Sequence, residues 1–269
     1  AASAGAVVAP PLVAWLLVQY GWRPAFVITG AMGLVWLIGW LWLYQLPARH
    51  PRITAEELAL IQAGDALEHG RAANAPRMTW VDLLRLPPTW GLLLSRIISD
   101  PVWWFYLFWL PKYLADSRGF SIAHIGMVAW IPYLAADLGS VAGGLASGYL
   151  IKRGVATVKA RKLAMLPAVA LMPAGVFIAV TPSATVAIAL ICLTTFCHMV
   201  WKTNLVTLTN DIYPTRLVGT LGGIVGLGSG LGGILFTYVA GRVIVGSSYG
   251  VVFVIMGFLH PVALAVVSA

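Results

Sequence analysis

The run Leu217–Gly241 reads LVGTLGGIVGLGSGLGGILFTYVAG and contains no Asp, Glu, Lys or Arg. Two other runs share this property, Pro24–Ala48 and Leu163–Trp201. A helix that crosses a bilayer needs about 20 mostly apolar residues, and each run provides them. Of the 269 residues in the chain, 60% are apolar and 10% are charged, whereas soluble domains carry about 25% charged residues. The composition therefore predicts an all-α polytopic membrane protein and excludes an ordinary soluble enzyme.

Glycine, proline and charged residues divide the apolar sequence into eight predicted spans. Their approximate bounds are 3–20, 24–45, 89–114, 125–151, 163–181, 184–208, 217–241 and 249–268. The connector 46–88 holds five Arg, five acidic residues and two His, so it is predicted to be a solvated linker. Within it, Thr54–Glu57 predicts a capped helix start. Two spans thus precede the linker and six follow it.

The ends of the chain and its two cysteines carry little chemistry. The chain opens Ala1-Ala2-Ser3 without a basic leading region and closes in an apolar stretch. We therefore expect a true first span, rather than a secretory signal, in a fragment of a longer protein. Cys192 and Cys197 are about 140° apart around one helix, which predicts core packing rather than a disulfide or a metal site.

The distribution of Lys and Arg predicts the orientation. The linker, the loop 152–162 and Arg216 together carry eleven basic residues on one side, and the other side carries four. By the positive-inside rule, the linker 46–88 and the loop 152–162 face the cytoplasm. The expected location is the cell (inner or plasma) membrane. The net charge of +8 does not indicate a nucleic-acid partner, because the basic residues flank apolar spans.

Arg96 and Asp100 are the first ionisable residues within a predicted span. They are four residues apart and so share a helical face, and Pro101 weakens the helix beside them. One interpretation is an anion-attracting arginine with an acidic, proton-coupling partner at a hinge. The other is a structural ion pair, since buried charges are normally paired whatever their role.

Asp137 is the only charged residue between Gly119 and Ile151. A lone carboxylate in a membrane is a candidate proton site, because desolvation favours its neutral form. The alternative is a hydrogen bond at a helix interface. The small residues that follow, in the pairs Gly139/Gly143 and Gly144/Gly148, predict close approach of another helix.

His198, Trp201 and Asn204 recur every three residues, with Lys202 beside them. A cation, hydrogen-bond donors and a flat apolar ring suit a hydroxylated anion such as a sugar acid. A single His in an apolar helix is more often a packing residue, but converging polar groups are typical of a binding pocket. In the seventh span, Gly222, Gly226 and Gly230 predict helix packing rather than a phosphate loop, since no GK[ST] follows.

Several stretches resemble one family of membrane proteins. Leu94–Leu114, LSRIISDPVWWFYLFWLPKYL, is similar to the seventh helix of the anion:cation symporter family within the major facilitator superfamily. Shorter matches are Ala9-Pro10-Pro11, Gly21–Phe26 (GWRPAF), Trp201–Leu205 (WKTNL) and Asp211–Pro214 (DIYP). Within that family the chain looks most like hexuronate transporters.

The resemblance implies that this chain supplies helices five to twelve of a twelve-helix fold. The first four helices, which the chain lacks, would then be its expected structural partners. Residues 1–45 would end the N-terminal half, 46–88 would link the halves, and 89–269 would form the C-terminal half. Gly144–Gly154 looks like a degenerate gating motif that lacks the usual Asp. The cavity would then be lined by Arg96, Asp100, His198, Trp201 and Asn204, with Asp137 at the interface between the halves.

The resulting hypothesis is a secondary transporter of a hexuronate or related organic anion, coupled to protons by alternating access. Its expected partners are the anion, protons and the lipid bilayer, with no cofactor and no metal. A membrane sensor or scaffold that kept the fold and lost turnover is the alternative. An embedded enzyme is disfavoured, because the sequence contains no HExxH, CxxC, GxSxG or paired-carboxylate motif.

Overall fold

The computed structural model describes residues 2–63 and 78–268, and most of these residues are helical. The helices are α1 (Ala2–Tyr20), α2 (Trp22–Leu43), α3 (55–63), α4 (Trp80–Leu84), α5 (Pro87–Ser99), α6 (Pro101–Arg118), α7 (Ile122–Val128), α8 (Ile131–Lys152), α9 (Thr157–Leu171), α10 (Phe177–Val180), α11 (Ala184–Ile212), α12 (Thr215–Gly246) and α13 (Tyr249–Ser268). Short 3-10 helices lie at Pro47–Arg49 and Met172–Val176.

Six stretches of helix are long and apolar enough to cross a membrane. They are Trp22–Leu43, Ile122–Lys152, Thr157–Val180, Ala184–Ile212, Thr215–Gly246 and Tyr249–Ser268. α1 is apolar over the shorter stretch Gly5–Tyr20. The predicted third span is divided into α5 and α6, and neither is among the six. All eight predicted spans are therefore helical, but two of them do not qualify as spans on their own length and composition.

A break separates α5 from α6 at Asp100. Pro101 has no backbone N–H, so it cannot donate to the carbonyl of Ile97 one turn earlier. The amide of Asp100 still donates to the carbonyl of Arg96 (3.0 Å), and the carbonyl of Asp100 accepts from the amide of Trp104 (3.2 Å). The chain thus passes from one helix into the next without an intervening loop, at the position where the proline predicts a weak point.

Glycines bring α8 against α11. A Cβ on Gly139 or Gly143 would collide with the backbone of α11, so these helices touch where only glycine fits. The prediction for this pair is confirmed. No atom lies within 4 Å of a Cβ built on Gly144 or Gly148, so the second predicted pair makes no helix contact among the described residues.

On α12 the glycines that pack against α5 are a different set from Gly222, Gly226 and Gly230. A Cβ on Gly232 would collide with the backbone of Ile97, just before the break in α5–α6. Gly228 packs on α5 in the same way, whereas Gly222, Gly226 and Gly230 have open space around them. The close helix packing that the glycine-rich segment predicts is confirmed, and Gly228 and Gly232, which also lie four residues apart, provide it. Glycine repeats run along more than one face of α12, and only the tertiary contact selects between them.

The linker begins with the capped helix that the sequence predicts. The backbone N–H of Glu57 donates to the hydroxyl of Thr54 (3.2 Å), and the N–H of Thr54 donates to the Glu57 carboxylate (3.0 Å). The backbone and side-chain hydrogen bonds from Thr54 lower the pKa of Glu57. A second reciprocal cap, between Thr79 and Asp82, starts α4. The part of the linker at 64–77 lies outside the described residues.

The helices from α4 to α13 belong to one compact unit, and α2 and α3 belong to another. The core of the first unit forms where α6, α11 and α13 meet, around Phe105, Tyr106, Leu110, Ile191 and Phe253. Large apolar side chains also cover outward faces, for example Leu145 and Leu235. Such surfaces suit lipid, because hydrocarbon is as apolar as the side chains themselves.

Candidate substrate site

The predicted pair of Arg96 and Asp100 forms at the break between α5 and α6. The Nε of Arg96 lies 2.6 Å from Oδ2 of Asp100, and the two side chains are 11% and 1% exposed. The contact is an ion pair without hydrogen-bond alignment, and neither oxygen of Asp100 has a hydrogen-bond partner among the described residues. Asp100 therefore keeps free acceptor capacity beside its cation, which is unusual for a buried carboxylate.

An aromatic ring and a second cation lie near this pair. The Nζ of Lys202 is 5.4 Å from the ring centroid of Trp103, and Trp103 meets Tyr133 edge-on at 6.0 Å between centroids. Trp103 is the third residue of α6, one turn after Asp100. Trp103 and Lys202 are half-buried, as is Arg96. Two cations beside a partly open indole ring can bind a carboxylate attached to a sugar ring.

His198 is fully buried and pairs with His260 of α13. Their Nδ1 and Nε2 atoms are 3.1 Å apart, and Trp103 lies nearly parallel to the His198 ring at 6.0 Å between centroids. The edge of His260 meets the ring of Trp201. Trp201 is also fully buried and donates its Nε1–H to the hydroxyl of Ser99 (2.9 Å). Two of the four predicted substrate residues, His198 and Trp201, thus lie behind Trp103 in the packed interior.

Asn204 lies in the contact between α11 and α8. Its Nδ2 donates to the carbonyls of Gly143 (3.1 Å) and Val200 (2.9 Å), and its side chain has no exposed surface. The Oδ1 atom is buried without a partner among the described residues. On the same helix, Cys192 and Cys197 are both free thiols, as their spacing predicts.

Asp137 is half-buried on α8 and forms no ion pair within the described residues. One turn later the hydroxyl of Ser140 shares a hydrogen bond with that of Thr203 on α11 (2.8 Å). Asp137 is therefore neither neutralised by a cation nor enclosed in the core.

A second Arg–Asp pair joins three helices where α8 ends and α9 begins. Arg161 of α9 donates from Nε to Oδ2 of Asp211 on α11 (3.0 Å) and from Nη1 to the hydroxyl of Ser147 on α8 (2.7 Å). Ser147 lies within the stretch Gly144–Gly154 that resembles a degenerate gating motif. A serine hydroxyl thus occupies the position next to Arg161 in a motif that lacks its usual aspartate.

Two residues of this region are functional candidates that the predicted substrate site does not include. His260 is the only His in an otherwise charge-free span, and polar residues within spans are usually functional. Lys202 carries the same signal, because it is a lysine within a span. The pairing of His260 with His198 depends on the packing of α13 against α11, which no local pattern reveals.

Residues 1–237 match the Major Facilitator Superfamily. The chain belongs to the major facilitator superfamily. This match covers most of the chain and confirms the resemblance at the level of the superfamily. Members of this superfamily are transporters, so the interpretation that the protein is not an enzyme is confirmed as well.

Curated proteins with similar sequences are named as transporters of sugar acids. The chain is 34% identical over 241 residues to the hexuronate transporter of Escherichia coli K12, and the match covers 89% of this chain and 55% of that protein. It is 39% identical over 142 residues to the galacturonate transporter of Dickeya chrysanthemi, covering 53% of this chain and 41% of that protein. The chain thus spans about half the length of the curated relatives it matches.

A solved structure shares the fold. It is the crystal structure of a bacterial homologue of the human lysosomal transporter Spinster, inward-facing and unoccupied, with a TM-score of 0.54 and 19% identity. The likeness covers 94% of this chain and 59% of that one. The predicted fold class, a helical membrane protein of the major facilitator type, is confirmed, and the protein is a multi-pass membrane protein.

Proposed function

We propose that this chain is part of a secondary active transporter that moves a hexuronate or related sugar acid across the cell membrane by proton symport. The domain division belongs to the proposal: residues 1–45 end one half, 46–88 form a cytoplasmic linker, and 89–269 form the other half. Alternating access would then move these halves about a site between them. The two relatives named above are a hexuronate transporter and a galacturonate transporter, which supports this substrate class.

One observation carries the proposal. At the break between α5 and α6, Arg96 pairs with Asp100, and Lys202 lies over the ring of Trp103, the third residue of α6. A sugar acid offers a carboxylate for the cations and a ring face for the indole. Arg96 is the best direct contact among the candidates, because its side chain keeps 11% exposure and its Nε has no hydrogen-bond partner among the described residues.

His198, Trp201 and Asn204 remain candidates for substrate binding, but in this conformation they support the site from behind. Trp201 fixes Ser99 beside Asp100, and Asn204 fixes α11 on α8. Asp100 and Asp137 are the candidate proton-coupling carboxylates.

Reconstituted transport tests the proposal. The protein is expressed from its entire reading frame and placed in liposomes, and uptake of labelled galacturonate and glucuronate is followed under an inward proton gradient. Uptake that collapses with a protonophore supports proton symport. Uptake that is indifferent to the gradient would retain a transporter but reject the coupling. Binding without uptake would favour a sensor or scaffold.

A further inference from the structure

We propose that the buried pair His198–His260 holds the proton that crosses with the anion. This inference rests on the proposed proton symport and adds a site for the proton to it. His260 lies on α13, beyond residues 1–237, which match the superfamily.

The geometry of the pair is that of a shared proton. Nδ1 of His198 and Nε2 of His260 are 3.1 Å apart, so one nitrogen carries the hydrogen and the other accepts it. The outer nitrogens, Nε2 of His198 and Nδ1 of His260, are buried without a partner among the described residues. In the neutral pair one of these outer nitrogens carries a hydrogen and the other has a bare lone pair. The bare nitrogen is a vacant site for one proton.

The pair can also pass a proton on. Both outer nitrogens are buried in this conformation, so a proton can enter only when the transport cycle opens one of them to water. The proton then binds the bare outer nitrogen of that ring, and the shared hydrogen moves across the 3.1 Å contact to the other ring. The second ring finally releases the hydrogen on its own outer nitrogen to water. One N–H bond forms at entry and one breaks at exit, so the pair returns to neutral with its tautomers exchanged.

The surrounding charges link this proton to the anion. Lys202 lies over the ring of Trp103, which stacks on His198, and Arg96 pairs with Asp100. α5 also brings Asp100, α8 brings Asp137 and Tyr133, and α6 brings Trp103 and Tyr106, while α13 carries no Asp, Glu, Lys or Arg. The charged residues of α9 and α12 lie near the ends of those helices, and Arg161 is already bound to Asp211.

Two nearby cations oppose a third positive charge on the imidazoles. An anion bound at Arg96 and Lys202 neutralises that repulsion, so the proton and the anion favour each other's binding. A structural path joins the two sites: His260 touches Trp201, Trp201 donates to Ser99, and Ser99 precedes Asp100. The histidine pair is thus placed to sense whether the cationic site is occupied.

Transport assays on a matched pair of variants test this role. His260→Gln removes the outer proton site, and His124→Gln changes an exposed histidine on α7 as the control. We expect His260→Gln to lower gradient-driven accumulation of galacturonate by about tenfold, within the usual range for coupled binding, while still exchanging labelled for unlabelled galacturonate. His124→Gln should behave as wild type in both assays. Accumulation that survives in His260→Gln would overturn the inference, and so would equal loss of accumulation and exchange.

A measurement on the unmodified protein removes the dependence on folding of a variant. Hydrogen–deuterium exchange at the imidazole C2 atom, followed by mass spectrometry, reports the titration of each histidine separately. We expect galacturonate to shift the titration midpoints of His198 and His260 towards higher pH and to leave that of His124 in place. Midpoints of the pair that ignore galacturonate would overturn the inference.

The two proposals fail in different ways. If wild-type uptake does not respond to the proton gradient, proton symport itself is rejected, and this inference falls with it. If wild-type uptake follows the gradient and His260→Gln remains coupled, symport stands and the proton site lies elsewhere, with Asp100 and Asp137 next in order.

Discussion

The protein contains two Arg–Asp pairs with different surroundings. Arg96 and Asp100 lie one turn apart at the break between α5 and α6, and the carboxylate is 1% exposed without any hydrogen bond. Arg161 and Asp211 lie on separate helices, with side chains 15% and 19% exposed, and Arg161 also donates to Ser147. The first pair is local, deeply buried and unsaturated. The second is long-range and well satisfied.

The difference shows which pair is available to a ligand. A saturated pair has few donors or acceptors left, so the arrangement of Arg161 and Asp211 serves to hold α8, α9 and α11 together. The pair of Arg96 and Asp100 joins no second helix, so it contributes little tertiary structure for the desolvation it costs. Polar groups that are buried and unsaturated are uncommon in folded proteins, and they need an explanation such as binding.

The largest effect is expected from Arg96→Ala. This change leaves Asp100 buried without a counterion, which typically costs about 3–5 kcal/mol. We expect lower expression and a lower melting temperature in detergent, together with loss of uptake. The double variant Arg96→Ala/Asp100→Asn should recover stability without recovering uptake. A wild-type melting temperature in the single variant would contradict the conclusion that Arg96 compensates the buried charge of Asp100.

Arg161→Ala should have a smaller and different effect. Its pair is partly exposed, so we expect a loss of about 1 kcal/mol, measured as a lower melting temperature. Because the residue lies away from Arg96 and Lys202, the dissociation constant for galacturonate should not change. Asp211→Asn should give a similar loss, and the double variant should add little, since both changes remove one interaction. Weaker galacturonate binding in Arg161→Ala would end the distinction between the two pairs.

Arg96→Lys isolates the role in binding from the role in stability. Lysine keeps the charge near Asp100 but loses the planar fork that binds carboxylates with two hydrogen bonds. We expect normal amounts of protein and an apparent KM for galacturonate raised about tenfold, which corresponds to roughly 1.4 kcal/mol. The matched change Arg161→Lys should leave KM alone. Wild-type kinetics in Arg96→Lys would leave that pair a purely structural role.

Asp137→Asn should have the smallest effect on structure, because Asp137 forms no ion pair in the described part of the chain. Asparagine keeps the size of the side chain, so we expect normal membrane levels. If Asp137 takes part in the proton cycle, accumulation falls while exchange of labelled anion survives. Equal loss of both activities would indicate packing or gating at the helix interface, and unchanged accumulation would remove Asp137 from coupling.

Much of the fold follows from short-range patterns in the sequence. Charge-free runs predict the spans, because backbone and side chains must both suit hydrocarbon. The spacing of four predicts the pair of Arg96 and Asp100, and the reciprocal side chains at Thr54 and Glu57 predict a helix start. Each of these features depends on neighbours within one or two turns of helix.

Contacts between distant residues could not be predicted in this way. The α12 face that packs on Ile97 is Gly228 and Gly232, although Gly222 and Gly226 have the same spacing. His198 and His260 are 62 positions apart, and Arg161 and Asp211 are 50 apart. Which glycine face packs and which polar groups meet are decided by how whole helices dock. The sequence therefore predicts which residues belong to the candidate site, but not which of them contact one another.

The break at Asp100 also affects how the protein enters the membrane during synthesis. Arg or Asp at the centre of an inserting helix is disfavoured by about 2.5–3.5 kcal/mol each, and the α5–α6 segment carries both. Its hydrogen bonds to other spans reach helices that are made later: Tyr106 shares one with Thr194, Trp201 donates to Ser99, and Ser95 donates to the carbonyl of Ala263. The segment with the substrate candidates is thus held in place only after these helices are made, so a chain truncated before α11 should fail to insert α5 and α6 stably.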